Sequence, residues 1–309
     1  MLNKNYGSPA KAGFLCYNLN METKTLLQKI RKEFSEISWK SVKRTKYNWD
    51  FYVLILDDKY VFRFARGKEC AEKFAKEIKL LDYLKKKTSM LVPNYIFRSK
   101  SGRFAGYEII KGGKLMPNEF ERLSLRNKKI IALQFADFLN VLHGIPKRLY
   151  KNFGLEIKAE SGGTDKLFRR IRKTVFPKLS RREIRDIEEF FKQYKAVEQR
   201  PYKKVLVHGD LTKENFIYYN GKIRGVIDFT DFGVGEPTLD FKGFWSFGPE
   251  FVEMVYKNYN NKGDKFFMER SKLYYKILGM FILDGAVNYK HSPFNFQECH
   301  KKFRETFYI

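Results

Sequence analysis

Few cysteines and no long apolar run limit the classes of protein to which this 309-residue chain can belong. Its three cysteines, Cys16, Cys70 and Cys299, are odd in number and far apart, which argues against a disulfide framework or a zinc site and favours a reducing cytoplasm. No apolar stretch approaches the roughly 18 residues that a membrane-spanning helix needs, and the first twenty residues lack the apolar core of a signal peptide. We therefore expect a cytoplasmic protein without a membrane partner.

The chain also lacks internal repeats, low-complexity segments and the G-x-x-x-x-G-K-[ST] motif. The missing motif excludes a P-loop nucleotide site. At this length a sizeable core can be buried, and two lobes are expected.

The charge balance is strongly basic, with a net charge of +26. Such a charge is compatible with a nucleic-acid or anionic-membrane partner. The densest basic patch lies between Lys166 and Arg185, on what the apolar spacing predicts to be two helices interrupted near Pro177. Basic residues on exposed helix positions are more often a solvated face than a binding site. We therefore expect only non-specific binding of nucleic acid. We also expect the protein to be a monomer.

The most informative segment is LVHGDLTKENFIYYNGKIRGVIDF, residues 206–229. Asp210 and Asp228 each follow a short apolar run typical of a buried strand, and Asn215 lies five residues after Asp210. Between them, two strand-like runs flank Asn220-Gly221, the residue pair of a tight hairpin turn. A hairpin brings its two ends together, so Asp228 is predicted to lie near Asp210 and Asn215.

These three side chains suit phosphoryl transfer. The amide oxygen of Asn215 and the carboxylate of Asp228 are the hard oxygen ligands that Mg²⁺ prefers. Asp210 is then free to accept a proton from an attacking hydroxyl, as in an H-x-D-x-x-x-x-N catalytic loop. The segment thus predicts a Mg²⁺-dependent kinase site that uses a nucleoside triphosphate.

The same segment resembles the aminoglycoside phosphotransferase family, whose members are related to choline kinases and more remotely to protein kinases. The resemblance rests on HGDLTKENF and on the later G-x-P-x-x-D-F, formed by Gly235, Pro237, Asp240 and Phe241. Residues 104–112 and 135–143 extend it to the hinge and to the first large helix of the 2″-aminoglycoside branch.

The resemblance implies an α+β, two-lobed protein-kinase-like fold. It predicts a small antiparallel-sheet N-lobe with one long helix and a larger, mainly helical C-lobe. The boundaries expected are an unmatched extension over residues 1–20, a nucleotide-binding N-lobe over 21–110 and a C-lobe over 111–309. Either ATP or GTP is the implied phosphate donor.

The N-lobe supplies the predicted nucleotide contacts. Arg63, on the second strand of a predicted hairpin, and Glu77, on the helix that follows, are spaced to form the ion pair that holds a cation against the phosphates. The family commonly has Lys where this chain has Arg63. Backbone groups between Glu108 and Ile110 are expected to receive the base. Asn48 is expected to take the place of glycine in the phosphate-covering loop, since Asn tolerates the left-handed conformation.

The acceptor is the open question. By resemblance it is an aminoglycoside; by charge another hydroxylated metabolite, such as an amino alcohol, a sugar derivative or a macrolide, is also compatible. Candidate contacts are Asp231, Glu236, Trp245 and Glu250, although Trp245 also has the spacing of a core residue. A weakly active kinase-like module that binds RNA remains the alternative from another class.

Overall fold

The computed structural model describes residues 21–45, 50–155, 164–198, 200–288 and 295–309. Within them, a mixed N-terminal lobe carries a five-stranded antiparallel sheet, and a larger C-terminal lobe is mainly helical. This arrangement confirms the predicted fold class.

The sheet of the first lobe comprises β1 (Val42–Arg44), β2 (Phe51–Leu56), β3 (Tyr60–Ala65), β4 (Phe97–Arg98) and β5 (Phe104–Glu108), in the order β1-β2-β3-β5-β4. Two helices complete the lobe: α1 (Thr23–Glu33) and α2 (Lys68–Leu84). α1 packs Leu26 and Ile30 on one face of the sheet, while α2 packs Phe74 on the other, beneath Phe51.

The turn between β2 and β3 shows how the sequence sets this sheet. Asp57 and Asp58 both have positive φ angles, 50° and 49°, which suit the two-residue turn that follows the twist of the strands. Asp57 also accepts hydrogen bonds from the backbone of Lys40 and Ser41, and these tie the approach to β1 to the hairpin. The pairing of Val53 with Arg63 follows directly, so the turn fixes the strand position from which Arg63 reaches the cleft.

The C-terminal lobe is built from helices around two small sheets. The helices are α3 (Pro117–Glu121), α4 (Leu125–His143), α5 (Thr164–Thr174), α6 (Arg181–Glu198), α7 (Thr238–Phe241), α8 (Pro249–Lys257), α9 (Phe267–Asn288) and α10 (Phe296–Phe307). Short 3₁₀ helices cover Lys147–Phe153, Phe176–Lys178, Lys213–Asn215 and Lys242–Phe247. The strands are β6 (Val205–Val207), paired with β9 (Gly233–Gly235), and β7 (Phe216–Tyr219), paired with β8 (Lys222–Val226).

The apolar core continues across both lobes. One cluster joins Phe74 and Tyr95 of the first lobe to Phe135, Phe216 and Phe244 of the second. A separate cluster lies between α5, α6, α9 and α10. Among the residues that the structure describes, no helix has the length and apolar character needed to cross a membrane.

Starting the chain at Met21 is expected to preserve activity and to cost little stability. The described first lobe is already anchored at this residue, because Arg44 Nη1 donates to the Met21 carbonyl at 2.9 Å and the Met21 N–H reaches Tyr52 Oη at 3.4 Å. Comparing thermal melts and turnover of the full and shortened chains tests this. A large fall in melting temperature would show that residues 1–20 contribute to the folded core.

Candidate active site

The loop after β6 carries Asp210 and is held by a buried carboxylate beneath it. Asp240 Oδ2 accepts from the His208 N–H at 2.7 Å, and Oδ1 accepts from the Gly209 N–H at 2.9 Å. His143 Nε2 lies 3.0 Å from the same Oδ2, and its Nδ1 lies 2.6 Å from Tyr259 Oη. Burial opposes the charge of Asp240, but His143 and His208 hold the pKa of this carboxyl below its usual value. The loop therefore rests on an ionised, fully bonded Asp240.

Both ring nitrogens of His208 bond the backbone around the loop. Its ring is fully buried, and burial lowers the pKa of the imidazole despite the surrounding carboxylates. Nδ1 accepts from the Asp210 N–H at 3.3 Å, so the neutral tautomer donates from Nε2 to the Ile227 carbonyl at 3.2 Å. The imidazole thus joins the catalytic loop to the end of the β7–β8 hairpin.

Asp210 is oriented by the loop's own asparagine. Asn215 Nδ2 donates to the Asp210 carbonyl at 2.8 Å and to Oδ2 at 3.0 Å, which fixes the carboxylate plane. Burial raises the pKa of Asp210, and the charge of Lys242 opposes this rise. The side chain is only half-buried, so the carboxylate can meet a hydroxyl that enters the cleft.

Asp228 returns to this loop as the hairpin geometry requires. Asn220 and Gly221 have positive φ angles, 47° and 80°, and the Ile227 N–H bonds the Asn215 carbonyl at 3.0 Å. Asp228 itself has φ 61°, a left-handed conformation that is strained for most residues but tolerated by Asp. Thr230 Oγ1 donates to its Oδ1 at 2.6 Å. Burial opposes its charge, yet Arg63 and the Thr230 hydroxyl hold the pKa of Asp228 below its usual value.

A single buried arginine connects the two lobes at this point. Arg63 is 4% exposed; its Nη1 donates to Glu77 at 2.5 Å and to Tyr95 Oη at 2.9 Å. Its Nη2 donates to Asp228 at 3.0 Å and to Thr230 at 2.7 Å. Burial raises the pKa of Glu77 to about 7, with the charge of Arg63 opposing the rise. Both terminal nitrogens therefore bond protein acceptors, so Arg63 acts on the cleft through Asp228.

Asn215 and Asp228 fit a Mg²⁺ ion. The amide nitrogen of Asn215 is used by Asp210, and within the described residues its Oδ1 accepts no hydrogen bond. The described ranges contain no cluster of three or more His, Cys, Asp and Glu side chains with metal-binding geometry. Mg²⁺ does not require one, since it is usually bound by one or two protein oxygens together with waters and substrate phosphates.

The strand that leads out of the first lobe carries the predicted base contacts. Glu108, at the end of β5, has an exposed side chain. The N–H of the next residue, Ile109, donates to the Lys59 carbonyl at 2.8 Å. The N–H of Ile110 donates no hydrogen bond to any of the described residues. The Ile110 side chain packs near Gly225 of β8. Asn48, the residue predicted for the phosphate-covering loop, lies outside the described residues.

The structure separates the four predicted acceptor contacts. Asp231 lies in the cleft, where burial and the charges of Asp210 and Asp228 raise its pKa to about 7 against the effect of Lys73. Glu250 is exposed at the start of α8. Glu236 and Trp245 lie in the interior instead. Glu236 is 1% exposed, bonded to Arg270 and Tyr274. Trp245 is 9% exposed, and its Nε1 donates to Ser271 at 2.9 Å. Trp245 is therefore a core residue, the alternative that its spacing in the sequence also allowed.

Three residues in this network had no signal in the sequence that marked them. Tyr95 lies in a loop of the first lobe and reaches Arg63 only because that loop packs against α2, where its ring contacts Phe74 at 5.1 Å. Thr230 follows Asp228 by two residues, and only the left-handed turn aims its hydroxyl back at that carboxylate. Lys242 is one of many lysines in a lysine-rich chain, and its burial is evident only in the structure.

The chain belongs to the phosphotransferase enzyme family known as APH, whose model matches residues 42–273. The match covers β1 through the first part of α9 and includes all of the site residues above that the structure describes.

Solved structures show the same fold. The GDP complex of wild-type aminoglycoside 2′-phosphotransferase-IIIa matches at 22% identity and a TM-score of 0.77, covering 93% of this chain and 98% of that one. APH(2″)-IIa in its ternary complex with streptomycin and ATP matches at 22% identity and 0.65, covering 94% and 99%. A macrolide 2′-phosphotransferase from Brachybacterium faecium, an apoenzyme, matches at 16% identity and 0.61, covering 84% and 90%. At these identities the likeness establishes the fold alone.

Proposed function

We propose that this protein transfers the γ-phosphate of ATP or GTP to a hydroxyl group of a small molecule. The observation that carries the proposal is the convergence of Asp210, Asn215 and Asp228, joined by the bond between Asn215 and Asp210 and by the backbone bond from Ile227 to Asn215. The convergence brings together one candidate base and two candidate metal ligands, which are the groups that phosphoryl transfer needs.

Each residue has a role that its contacts support. Asp210, oriented by Asn215, accepts the proton of the attacking hydroxyl. Asn215 and Asp228 hold Mg²⁺, which when bound neutralises charge on the phosphates. Arg63, fixed by Glu77, orients Asp228 and adds positive charge at the phosphate end of the cleft. The N–H of Ile110 and the carbonyl of Glu108 receive the base.

An aminoglycoside antibiotic is the acceptor that the family and the structural neighbours favour. An aminoglycoside is a polycation, so its site needs carboxylates that are free of protein cations. Three carboxylates form ion pairs with arginines: Glu236, Asp264 and Asp284. Asp231 and Glu250 form no such pair with an arginine of the described residues. Two available carboxylates suit an acceptor with few amines, so a macrolide or another hydroxylated metabolite is the second candidate.

A coupled assay of nucleotide turnover over a panel of hydroxylated acceptors tests the function. The panel contains 4,6-linked and 4,5-linked aminoglycosides, macrolides, amino alcohols and sugars, each with ATP and with GTP in the presence of Mg²⁺. We expect acceptor-dependent turnover with at least one of them, and a product heavier by one phosphate. If no acceptor raises turnover above the rate of nucleotide hydrolysis alone, the proposal fails.

The basic surface is expected to bind nucleic acid weakly and non-specifically. Arg169, Arg172 and Lys173 are exposed on α5, whereas the neighbouring Arg170 forms an ion pair with Asp284. RNA binding through such a solvated face should fade by about 200 mM salt, because it depends on the release of counterions. Changing the three exposed residues to Gln should weaken binding and leave turnover unchanged. Arg170→Gln, a matched control, should instead lower the melting temperature.

Binding that is saturable, sequence-selective and stable at the higher salt would favour the RNA-binding alternative. We further propose a reducing compartment, because the few cysteines lie far apart along the chain and the described ones, Cys70 and Cys299, are buried and form no disulfide. We also propose a monomeric state.

A further inference from the structure

A buried lysine lies directly beneath the catalytic loop. Lys242 begins the 3₁₀ helix that follows α7, and it is 1% exposed. Its Nζ donates a hydrogen bond to the backbone carbonyl of Gly209. Taking an ammonium group out of water costs several kcal/mol unless it is hydrogen-bonded or paired. The contact with the Gly209 carbonyl is one of the interactions that stabilise this buried charge.

Gly209 is held from both sides by charged side chains of one short segment. Asp240 Oδ1 accepts from its N–H at 2.9 Å, and Lys242, two residues later, donates to its carbonyl. Gly209 has φ 85°, a conformation that other residues adopt only with strain. The two bonds therefore select one orientation at a residue that otherwise has unusual conformational freedom.

The orientation of the Gly209 carbonyl also sets that of Asp210. A peptide unit is planar, so the carbonyl of Gly209 and the N–H of Asp210 turn together. That N–H donates to His208 Nδ1 at 3.3 Å. Loss of the bond from Lys242 would free this plane to rotate and would carry the Asp210 side chain with it.

The backbone of the residue after Lys242 packs closely against the loop. A Cβ atom on the next residue, Gly243, would lie 2.1 Å from the Leu211 carbonyl oxygen and 2.8 Å from Thr212 Cα. The 3₁₀ helix therefore touches the loop directly after Asp210. The charge of Lys242 also acts on the Asp210 carboxylate and opposes the rise in its pKa that burial causes.

We propose that Lys242 is a positioning residue for phosphoryl transfer, which holds the peptide between Gly209 and Asp210 in its catalytic orientation and places positive charge beside the Asp210 carboxylate. The inference rests on the proposed function. It assigns to Lys242 no contact with the nucleotide.

Lys242→Met tests the inference because methionine has a similar length and no charge. We expect kcat to fall by about 10²-fold, since a displacement of about 1 Å can have that effect. The KM for the nucleotide and the thermal shift with Mg²⁺ and nucleotide should stay within about twofold of the wild type, because no metal or phosphate contact is removed. Lys242→Arg, which keeps the charge and the donors, should recover part of kcat.

Leu239→Ala is the matched control for loss of stability. Leu239 lies on the same segment, is 5% exposed, and packs toward Gly235 in the apolar cluster that contains Val205 and Val207 of β6. It should lower the melting temperature by creating a cavity while leaving kcat near the wild-type value. If Lys242→Met lowers kcat no more than Leu239→Ala does, or if the nucleotide KM rises in proportion to the fall in kcat, the inference is wrong. Should Lys242→Met not fold, Lys242→Gln takes its place under the same criteria.

A second measurement does not depend on turnover. Hydrogen exchange by mass spectrometry on peptides that cover residues 206–215 should be faster in Lys242→Met than in the wild type and unchanged in Leu239→Ala. A wild-type protein that phosphorylates no acceptor would refute the proposed function, and the exchange rates would still decide whether Lys242 holds the loop. Equal exchange in the three proteins would overturn the inference.

Discussion

Asp210→Asn is expected to abolish acceptor-dependent turnover while leaving the binding of Mg²⁺ and nucleotide largely intact. The substitution keeps the shape of the side chain and its neighbours but removes the group that accepts the hydroxyl proton. A positioned general base contributes about 10²–10⁴-fold, so the loss of kcat should fall in that range. Steady-state kinetics with the best acceptor of the panel, together with a nucleotide-dependent thermal shift, measure the two effects separately.

Asp231→Asn is the matched control for this prediction. Asp231 lies in the same cleft, and because its pKa is raised to about 7 it is another carboxyl group that exchanges a proton near neutral pH. We expect it to change mainly the KM of the acceptor. A loss below about tenfold in Asp210→Asn, or a larger loss in Asp231→Asn, would assign the role of base elsewhere.

Asp228→Ala is expected to remove the Mg²⁺-dependent stabilisation by nucleotide and to lower turnover by at least about 10²-fold. A bound metal ion supplies several kcal/mol of transition-state stabilisation, and each 1.36 kcal/mol corresponds to about tenfold in rate. Asn215→Ala should weaken the stabilisation less, because an amide oxygen is a weaker ligand than a carboxylate. Thermal shifts with nucleotide, recorded with and without Mg²⁺, measure the loss.

The left-handed backbone at Asp228 calls for a second variant. Alanine at φ 61° introduces strain that has nothing to do with the metal. Asp228→Asn avoids this strain, since Asn tolerates the same conformation, and it should also lose most of the Mg²⁺ response. A full Mg²⁺-dependent shift in both variants would show that Asp228 is not a ligand. The bonds of Arg63 to Glu77 and Tyr95 remain in these variants, so the fold should survive.

Much of the site follows from local rules and was predictable for that reason. The Asn220-Gly221 turn favours a two-residue hairpin, and a hairpin returns Asp228 to the loop that holds Asn215. Arg63 and Glu77 are fourteen residues apart in the chain. The Asp57-Asp58 turn and the apolar face of α2 likewise place their side chains opposite each other. The resemblance of the HGD and DF motifs to the aminoglycoside phosphotransferase family supplied the two-lobed fold, which the structure confirms.

The acceptor side of the cleft was not predictable in the same way. Glu236 and Trp245 lie at the right distance along the chain from the motif, but packing directs them toward Arg270 and Ser271 in the interior. Whether a carboxylate is available depends on which arginine reaches it from a distant helix. No local pattern in the sequence carries that information.

The sequence by itself determined how the three proposed site residues are arranged, because turn residues and strand ends fix where Asp210, Asn215 and Asp228 lie relative to one another. The tertiary structure alone decided what surrounds them. Tyr95 and Lys242 reach the site from two separate segments. Their contacts arise only when the lobes and helices pack, since burial and long-range electrostatics depend on the whole fold and not on neighbours along the chain.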